Sequence, residues 1–276
     1  MPIGFTLSDF VSSGDLASES VRQHRSGGFM TREELARYLD TLLEPAKFDD
    51  YLPNGLQVEG ASEVHKIAFA VSASLRAVQE AVAAGADTLI VHHGWFWKNE
   101  ERTILGIRKA RIEAAIKANL NLFAFHLPLD AHLEIGNNAI FGHALGFENA
   151  KPSPDNPFLW LADVPAIEVK DLKARLTNVL KREPVVLGHG EQTITRVAWC
   201  TGAAQGELEE ASRAGAQAYM TGEVSERTTY EARELGMTFL SCGHYATETF
   251  GIRALEDKIR REFQVETVFL EEENPI

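Results

Sequence analysis

Few folds are open to a chain that writes the same structural unit twice, and this chain does so. Displaced by 130 positions, residues 66–93 lie over residues 196–223 without a gap. Ala68, Ala73, Glu80, Ala81, Ala84, Gly85 and Ala86 then fall on Ala198, Ala203, Glu210, Ala211, Ala214, Gly215 and Ala216. Most other columns pair apolar with apolar, as Ile67 with Val197 and Phe69 with Trp199. Each copy reads as a short apolar run, an Ala-rich helical stretch, a glycine and a second apolar run. Short continuous apolar runs bounded by turn residues are strands covered on both faces, and a glycine after the last helical residue stops a helix. The expectation is an α/β fold whose two lobes arise by internal duplication, with a site in the cleft between them.

The rest of the chain is organised around these two units. Residues 1–29 are Ser- and Gly-rich and read as a weakly ordered extension. They lack a compact apolar core and do not read as a signal peptide. Thr31-Arg32-Glu33-Glu34 is a capping-box pattern that opens a helix to about Leu43. In the first repeat, 30–150, strands are expected over 66–71, 88–91 and 121–125, with helices over 74–84 and 108–118. Residues 151–190 form a Pro-rich connector and a small α/β insert. The second repeat is 191–276, with a strand over 237–242.

The strand ends carry the chemistry. His92-His93 ends the second apolar run, and ligand sites of open α/β sheets gather beyond the carboxyl ends of strands. The third run leads into His126, with Asp130 four residues on, and its counterpart leads into His244, with Glu248 four residues on. Residues four apart share a face if a helix or turn starts there, so imidazole and carboxylate can address one ion. Each residue has an ordinary explanation when taken singly. Glu248 suits a first helical turn, Asp130 suits a turn after Pro128, and His244 suits a satisfied core position. What distinguishes the chain is that three strand ends finish in the same chemistry.

Imidazole and carboxylate without thiolate suit zinc, iron or manganese. His92, His93, Asp130, His244 and Glu248 are too many donors for one closed tetrahedral site. Two divalent ions about 3.5 Å apart, sharing a carboxylate and a water whose pKa they lower, use them better. His126 matches His244 and enters the same cleft, as a ligand or as support to one. Glu223 matches His93 and is a cleft carboxylate, either a general base or an orienter of a ligand histidine. Lys98, His132 and Tyr245 are candidate substrate-binding groups, with Asn137 and Asn138 as further lining. Cys200 and Cys242 have no metal-like spacing and read as buried free thiols.

Composition narrows the partners. The formal net charge is −13, which disfavours phosphate backbones, so nucleic acid is an unlikely partner. No apolar run approaches the roughly 20 residues of a membrane helix, and a cytoplasmic location is expected.

The motifs together carry a resemblance. Leu-Gln-Val-Glu-Gly (56–60), Val-His-His-Gly-Trp-Phe-Trp-Lys (91–98), His-Leu-Pro-Leu-Asp-Ala-His (126–132), Gly-Asn-Asn (136–138), Thr-Gly-Glu-Val-Ser-Glu (221–226) and Gly-His-Tyr-Ala-Thr-Glu (243–248) closely resemble the GTP cyclohydrolase 1 type 2 homologues, the NIF-three-like dinuclear-metal family. The resemblance runs from about residue 30 to the end. It implies two intertwined α/β lobes in a toroidal homohexamer, with metal pairs facing an internal cavity. By motif match the ligands fall on His92, His93, Asp130, His244 and Glu248, with Glu248 bridging. Where many members have His-Thr-Asn-Leu-Asp, this chain has His-Leu-Pro-Leu-Asp, which keeps the metal-binding ends and changes the lining. Two functions follow as expectations. One is a metal-dependent hydrolase acting on a nucleotide or phosphoester-like small molecule, with Glu223 and His126 moving protons. The other is a non-catalytic, metal-dependent ring that binds partner proteins.

Overall fold

The structure, a computed structural model, describes residues 30–190 and 192–276. The extension expected over 1–29 lies outside the described residues. A short strand β1 (Met30–Thr31) leads into helix α1 (Arg32–Leu43), where Thr31 and Glu34 form the reciprocal capping box read from the sequence. Strands β2 (Gly55–Val58), β3 (Glu63–Val64) and β4 (Lys66–Ser72) precede helix α2 (Leu75–Ala83), capped by Ser74. Strand β5 (Thr88–His93), helix α3 (Gly106–Lys117) and strand β6 (Asn121–Ala124) follow, and then the short helices α4 (Leu127–Ala131) and α5 (Asn137–Ala144). Next come β7 (Lys151–Pro152), β8 (Trp160–Glu168), α6 (Val169–Leu180) and β9 (Val185–Gly188). The chain continues through β10 (Thr193–Cys200), α7 (Leu208–Arg213), β11 (Ala218–Thr221), α8 (Glu226–Glu234) and β12 (Thr238–Ser241). It closes with α9 (His244–Phe263) and β13 (Glu266–Phe269).

The two sheets repeat one plan. The five-stranded sheet has the order β13-β4-β5-β6-β2, and the six-stranded sheet has β7-β8-β10-β11-β12-β9. The matched parallel strands β4-β5-β6 and β10-β11-β12 are each followed by an antiparallel one, β2 beside β6 and β9 beside β12. The offset of 130 holds in register: Ile67 pairs with Thr88, and Val197 pairs with Ala218. Gly85 and Gly215 follow the equivalent helices α2 and α7 at φ +76° and +82°, the left-handed conformation that a side chain disfavours.

The sheets do not divide along the sequence. Strand β13, the last in the chain, pairs in parallel with β4 of the first sheet. Strands β8 and β9, from the stretch expected as an insert, join the second sheet on either side of its parallel strands. Helix α9 begins beyond the second sheet and packs on β4 and α5 of the first half.

Alternation along the central strands explains why they are apolar throughout. Ile67, Phe69 and Val71 enter one buried cluster, while Ala68 and Ala70 enter another on the opposite face. Val197 and Trp199 divide from Ala198 and Cys200 in the same way. Truncating a fully buried ring such as Phe69 or Trp199 costs about 3–5 kcal/mol. Both cysteines are buried free thiols, as the sequence suggested. Among the described residues, no helix is long and apolar enough to cross a membrane.

Candidate metal centre

The carboxyl ends of β5, β6 and β12 bring the predicted groups together. His92 and His93 are the last two residues of β5 rather than part of the turn beyond it. His126 stands at the N-terminus of α4 and Asp130 lies within that helix. His244 opens α9 and Glu248 follows one turn later. Both His-x-x-x-carboxylate pairs are therefore set by a helix that starts where a strand stops.

Glu248 is the centre of the arrangement. Its Oε2 lies 3.1 Å from Nε2 of His93 and 3.0 Å from Nε2 of His244. Its Oε1 lies 3.4 Å from Nε2 of His92, which is itself 3.5 Å from Oδ1 of Asp130. Among the described residues, three overlapping groups could each hold a metal ion: His93, His244 and Glu248; His92, Asp130 and Glu248; and His92, His93 and His126.

Four imidazoles are oriented in one way. Nδ1 of His92 donates to the carbonyl of Phe125 at 2.9 Å. Nδ1 of His93 meets the Ser72 hydroxyl at 3.0 Å. Nδ1 of His126 donates to Asp50 at 2.7 Å, and Nδ1 of His244 donates to Glu223 at 2.7 Å. Each ring thus has its Nδ1 engaged and its Nε2 available, which is how ligand histidines are held. Nε2 of His92 and Oε2 of Glu248 are fully buried and make no aligned hydrogen bond. Buried polar atoms rarely go unsatisfied, and an ion among them would satisfy both.

The electrostatics are those of a site that concentrates charge. Burial alone would keep His92 neutral, but the carboxylates of Asp130 and Glu248 outweigh it and push its pKa up to about 9. Burial is likewise overcome at His244, where Glu248 and Glu223 raise it to about 9. Glu248 is held well below the usual carboxylate range because the surrounding imidazoles, His93 foremost, override its desolvation. Burial lowers His93 and raises Asp130.

Of the remaining expected residues, Asn137 and Asn138 bond Asp130, whereas Lys98, His132 and Tyr245 make their polar contacts away from the cluster. Asn137 donates to Asp130 at 2.9 Å and accepts from the backbone of Gly251 on α9. Asn138 bridges the Asp130 carbonyl to the Thr201 amide of the second sheet. Lys98 pairs with Asp49 at 2.6 Å at the surface. His132 accepts the amides of Glu134 and Ile135, and the Tyr245 hydroxyl accepts the amide of Glu272.

Sequence reasoning passed over Asp50, Ser72 and Gly202. Asp50 lies between α1 and β2, outside every motif singled out in the sequence. Ser72 and Gly202 occupy the same column of the repeat, 130 positions apart. Ser72 holds His93, whereas Gly202 leaves the space that Glu248 fills: a Cβ there would lie 2.2 Å from Oε1 of Glu248. That divergence within matched columns was the signal available.

Fold and site together define a two-sheet α/β protein with an imidazole and carboxylate cluster suited to metal at the strand ends. The chain belongs to the Duf34/NIF3 (NGG1p interacting factor 3) family, whose model matches residues 30–275. It is 42% identical over 248 residues to a GTP cyclohydrolase 1 type 2 homolog of Allochromatium vinosum, covering 88% of this chain and 96% of the relative. The Escherichia coli protein of the same description is 42% identical over 250 residues, covering 89% of this chain and 100% of its own length. Among solved structures, protein ybgI, described as of unknown function, superposes with a TM-score of 0.86 at 40% identity, covering 90% of this chain and all of that one. TTHA1606 from Thermus thermophilus gives a TM-score of 0.82 at 35% identity, with 90% of this chain and 100% of that one covered.

Proposed function

We propose that the protein is a dinuclear, divalent-metal-dependent hydrolase acting on a nucleotide or a phosphoester-like small molecule. The observation that carries this reading is the position of Glu248. Its two oxygens face two different donor groups, His93 with His244 and His92 with Asp130, as a bridging carboxylate requires. Zinc, iron or manganese fits the donor set. Such ions supply Lewis acidity and a nucleophilic water at neutral pH.

The chain's own groups have distinct tasks in this reading. Glu223 holds the tautomer of His244 through Nδ1, a positioning role rather than that of a free base. His126, anchored by Asp50 through Nδ1, is the proton carrier, because one of its ring nitrogens lies within 4.8 Å of ring nitrogens of His92 and His93. The name borne by the relatives of Allochromatium vinosum and Escherichia coli, GTP cyclohydrolase 1 type 2 homolog, is consistent with a nucleotide substrate.

The test is a screen of metal-loaded protein against nucleotides and phosphoesters, with His92→Ala and Glu248→Gln run in parallel. Turnover that survives unchanged in both variants sinks the assignment to this site.

A second reading, a ring of six subunits that binds partner proteins, is favoured by one observation. Ile104, Leu105 and Ile107 at the start of α3 are 52%, 70% and 72% exposed, an apolar patch of the kind that marks an interface. This reading expects a chelator to alter subunit number or partner binding without any turnover being found. Sedimentation before and after chelation separates the two functions.

A further inference from the structure

Beside the metal centre is a cavity of about 320 Å³, a size in the small-molecule range. His93 and His244 line it, so it opens directly onto two of the candidate ligands. Ser72, Trp97 and Arg111 line it as well. Arg111 is the one lining residue with a permanent charge; the carboxylates of Glu272, Glu223 and Glu248 touch the lining residues Ser74 and His244 without lining the space themselves.

Arg111 shares with Arg108 and Arg182 the lack of an ion pair among the described residues, and differs from both in lining this cavity. The net charge is −13, and the part-buried Arg32 and Arg196 find acidic partners in Glu33, Glu59 and Asp163. Arg111, also part-buried, has no ion pair among the described residues, and its Nε is fully buried without a hydrogen-bond partner. Its neighbour on α3, Glu113, is taken by Lys109 and Lys117. Holding the Nε of a guanidinium out of water without a hydrogen-bond partner costs free energy, and a ligand anion would supply one.

We propose that this cavity is an anion subsite in which Arg111 binds a phosphate group of the substrate. A guanidinium presents paired donors that match two phosphate oxygens, which a lysine ammonium cannot do. Trp97 flanks the same space. Its indole Nε1 donates to the Gly94 carbonyl at 3.2 Å and its ring stands 6.0 Å from that of His93. It offers a fixed aromatic face to a flat, ring-bearing substrate. The subsite deepens the hydrolase reading and rests on it for the purpose of the anion, but not for binding itself.

The experiment is calorimetric titration of the metal-loaded full chain with inorganic phosphate, comparing wild type, Arg111→Met and Arg111→Lys. Metal content and melting temperature are measured for each. We expect phosphate affinity to fall at least tenfold in Arg111→Met and less in Arg111→Lys, with metal content unchanged. The same ordering should persist in chelated protein, where phosphate has no ion to bind. Phosphate affinity in Arg111→Met or Arg111→Lys within twofold of wild type, or no phosphate binding by wild type, overturns the subsite. Arg111-dependent binding in a protein that turns over no phosphoester upholds the subsite while removing the hydrolase reading.

Discussion

The Asp50 carboxylate accepts the Nδ1 proton of His126 at 2.7 Å across 76 positions of chain. Asp50 also accepts the amides of Tyr51 and Leu127 and the side chain of Asn54, at 2.6, 2.9 and 2.8 Å. Desolvation would raise this carboxyl, but the His126 and Asn54 contacts prevail and bring it down to about 2. One buried acid thus ties the loop after α1 to the start of α4 and orients an imidazole of the candidate metal centre.

Asp50→Asn removes the charge that holds His126. Loss of a partner behind a metal-site histidine lowers metal affinity or turnover about 10–100-fold, and we expect a change in that range. The pH dependence has a defined sign. A carboxyl lowered on folding from 3.8 to about 2 stabilises fully above pH 3.8 and loses that contribution as pH falls towards 2. Acid melts of Asp50→Asn should therefore be flatter than wild type between pH 4 and pH 2. An identical acid limb in both proteins contradicts this account.

Glu248→Gln keeps the shape of the side chain and removes its charge. The carboxylate serves His92, His93 and His244 together, so both proposed ions should be lost rather than one. Elemental analysis after dialysis is expected to find well under one ion per subunit. Two retained ions would remove Glu248 from the bridging position.

Gly202→Ala tests the space around that carboxylate. The added Cβ would sit 2.2 Å from Oε1 of Glu248, at a backbone φ of +73° that disfavours a side chain. Overpacking and strain of this kind cost about 1–3 kcal/mol. We expect a lower melting temperature together with reduced metal content, read by calorimetry and elemental analysis. A variant with wild-type metal content would mean that Glu248 has room to move aside.

Metal and protons should compete at this centre. His92 and His244 titrate near 9 without an ion, against 6.5 in an unfolded chain. Their contribution to stability is full below pH 6.5 and is lost as pH rises through 9. Chelated protein should therefore lose melting temperature across that window while loaded protein does not. Metal affinity should climb over the same range with release of protons. Calorimetry at pH 7 in buffers of different ionisation enthalpy measures that release, and its absence would refute the competition.

Much of this was legible in the residues themselves. The offset of 130 announced the paired β4-α2-β5 and β10-α7-β11 units, because buried parallel strands must be apolar on both faces and so look alike wherever they recur. The His-x-x-x-carboxylate spacing was readable because a helix start carries residues four apart to one face. The destination of β13, the joining of β8 and β9 to the second sheet, and the role of Asp50 were not readable. Strand pairing and a hydrogen bond across 76 positions are choices between distant segments, and no local period records them.

The sequence by itself determined the kinds of element, the ligand types and the strand ends that bear them, since these follow from local periodicity and side-chain chemistry. Only the tertiary structure decided which Nε2 and carboxylate atoms meet, and that Arg111 lines the cavity beside His93 without an ion pair among the described residues. It also decided that two equivalent columns of the repeat do different work, Ser72 bonding His93 and Gly202 making room for Glu248. The physical reason is that a site is a set of distances between segments far apart in the chain, and those distances exist only once the two sheets and α9 have packed.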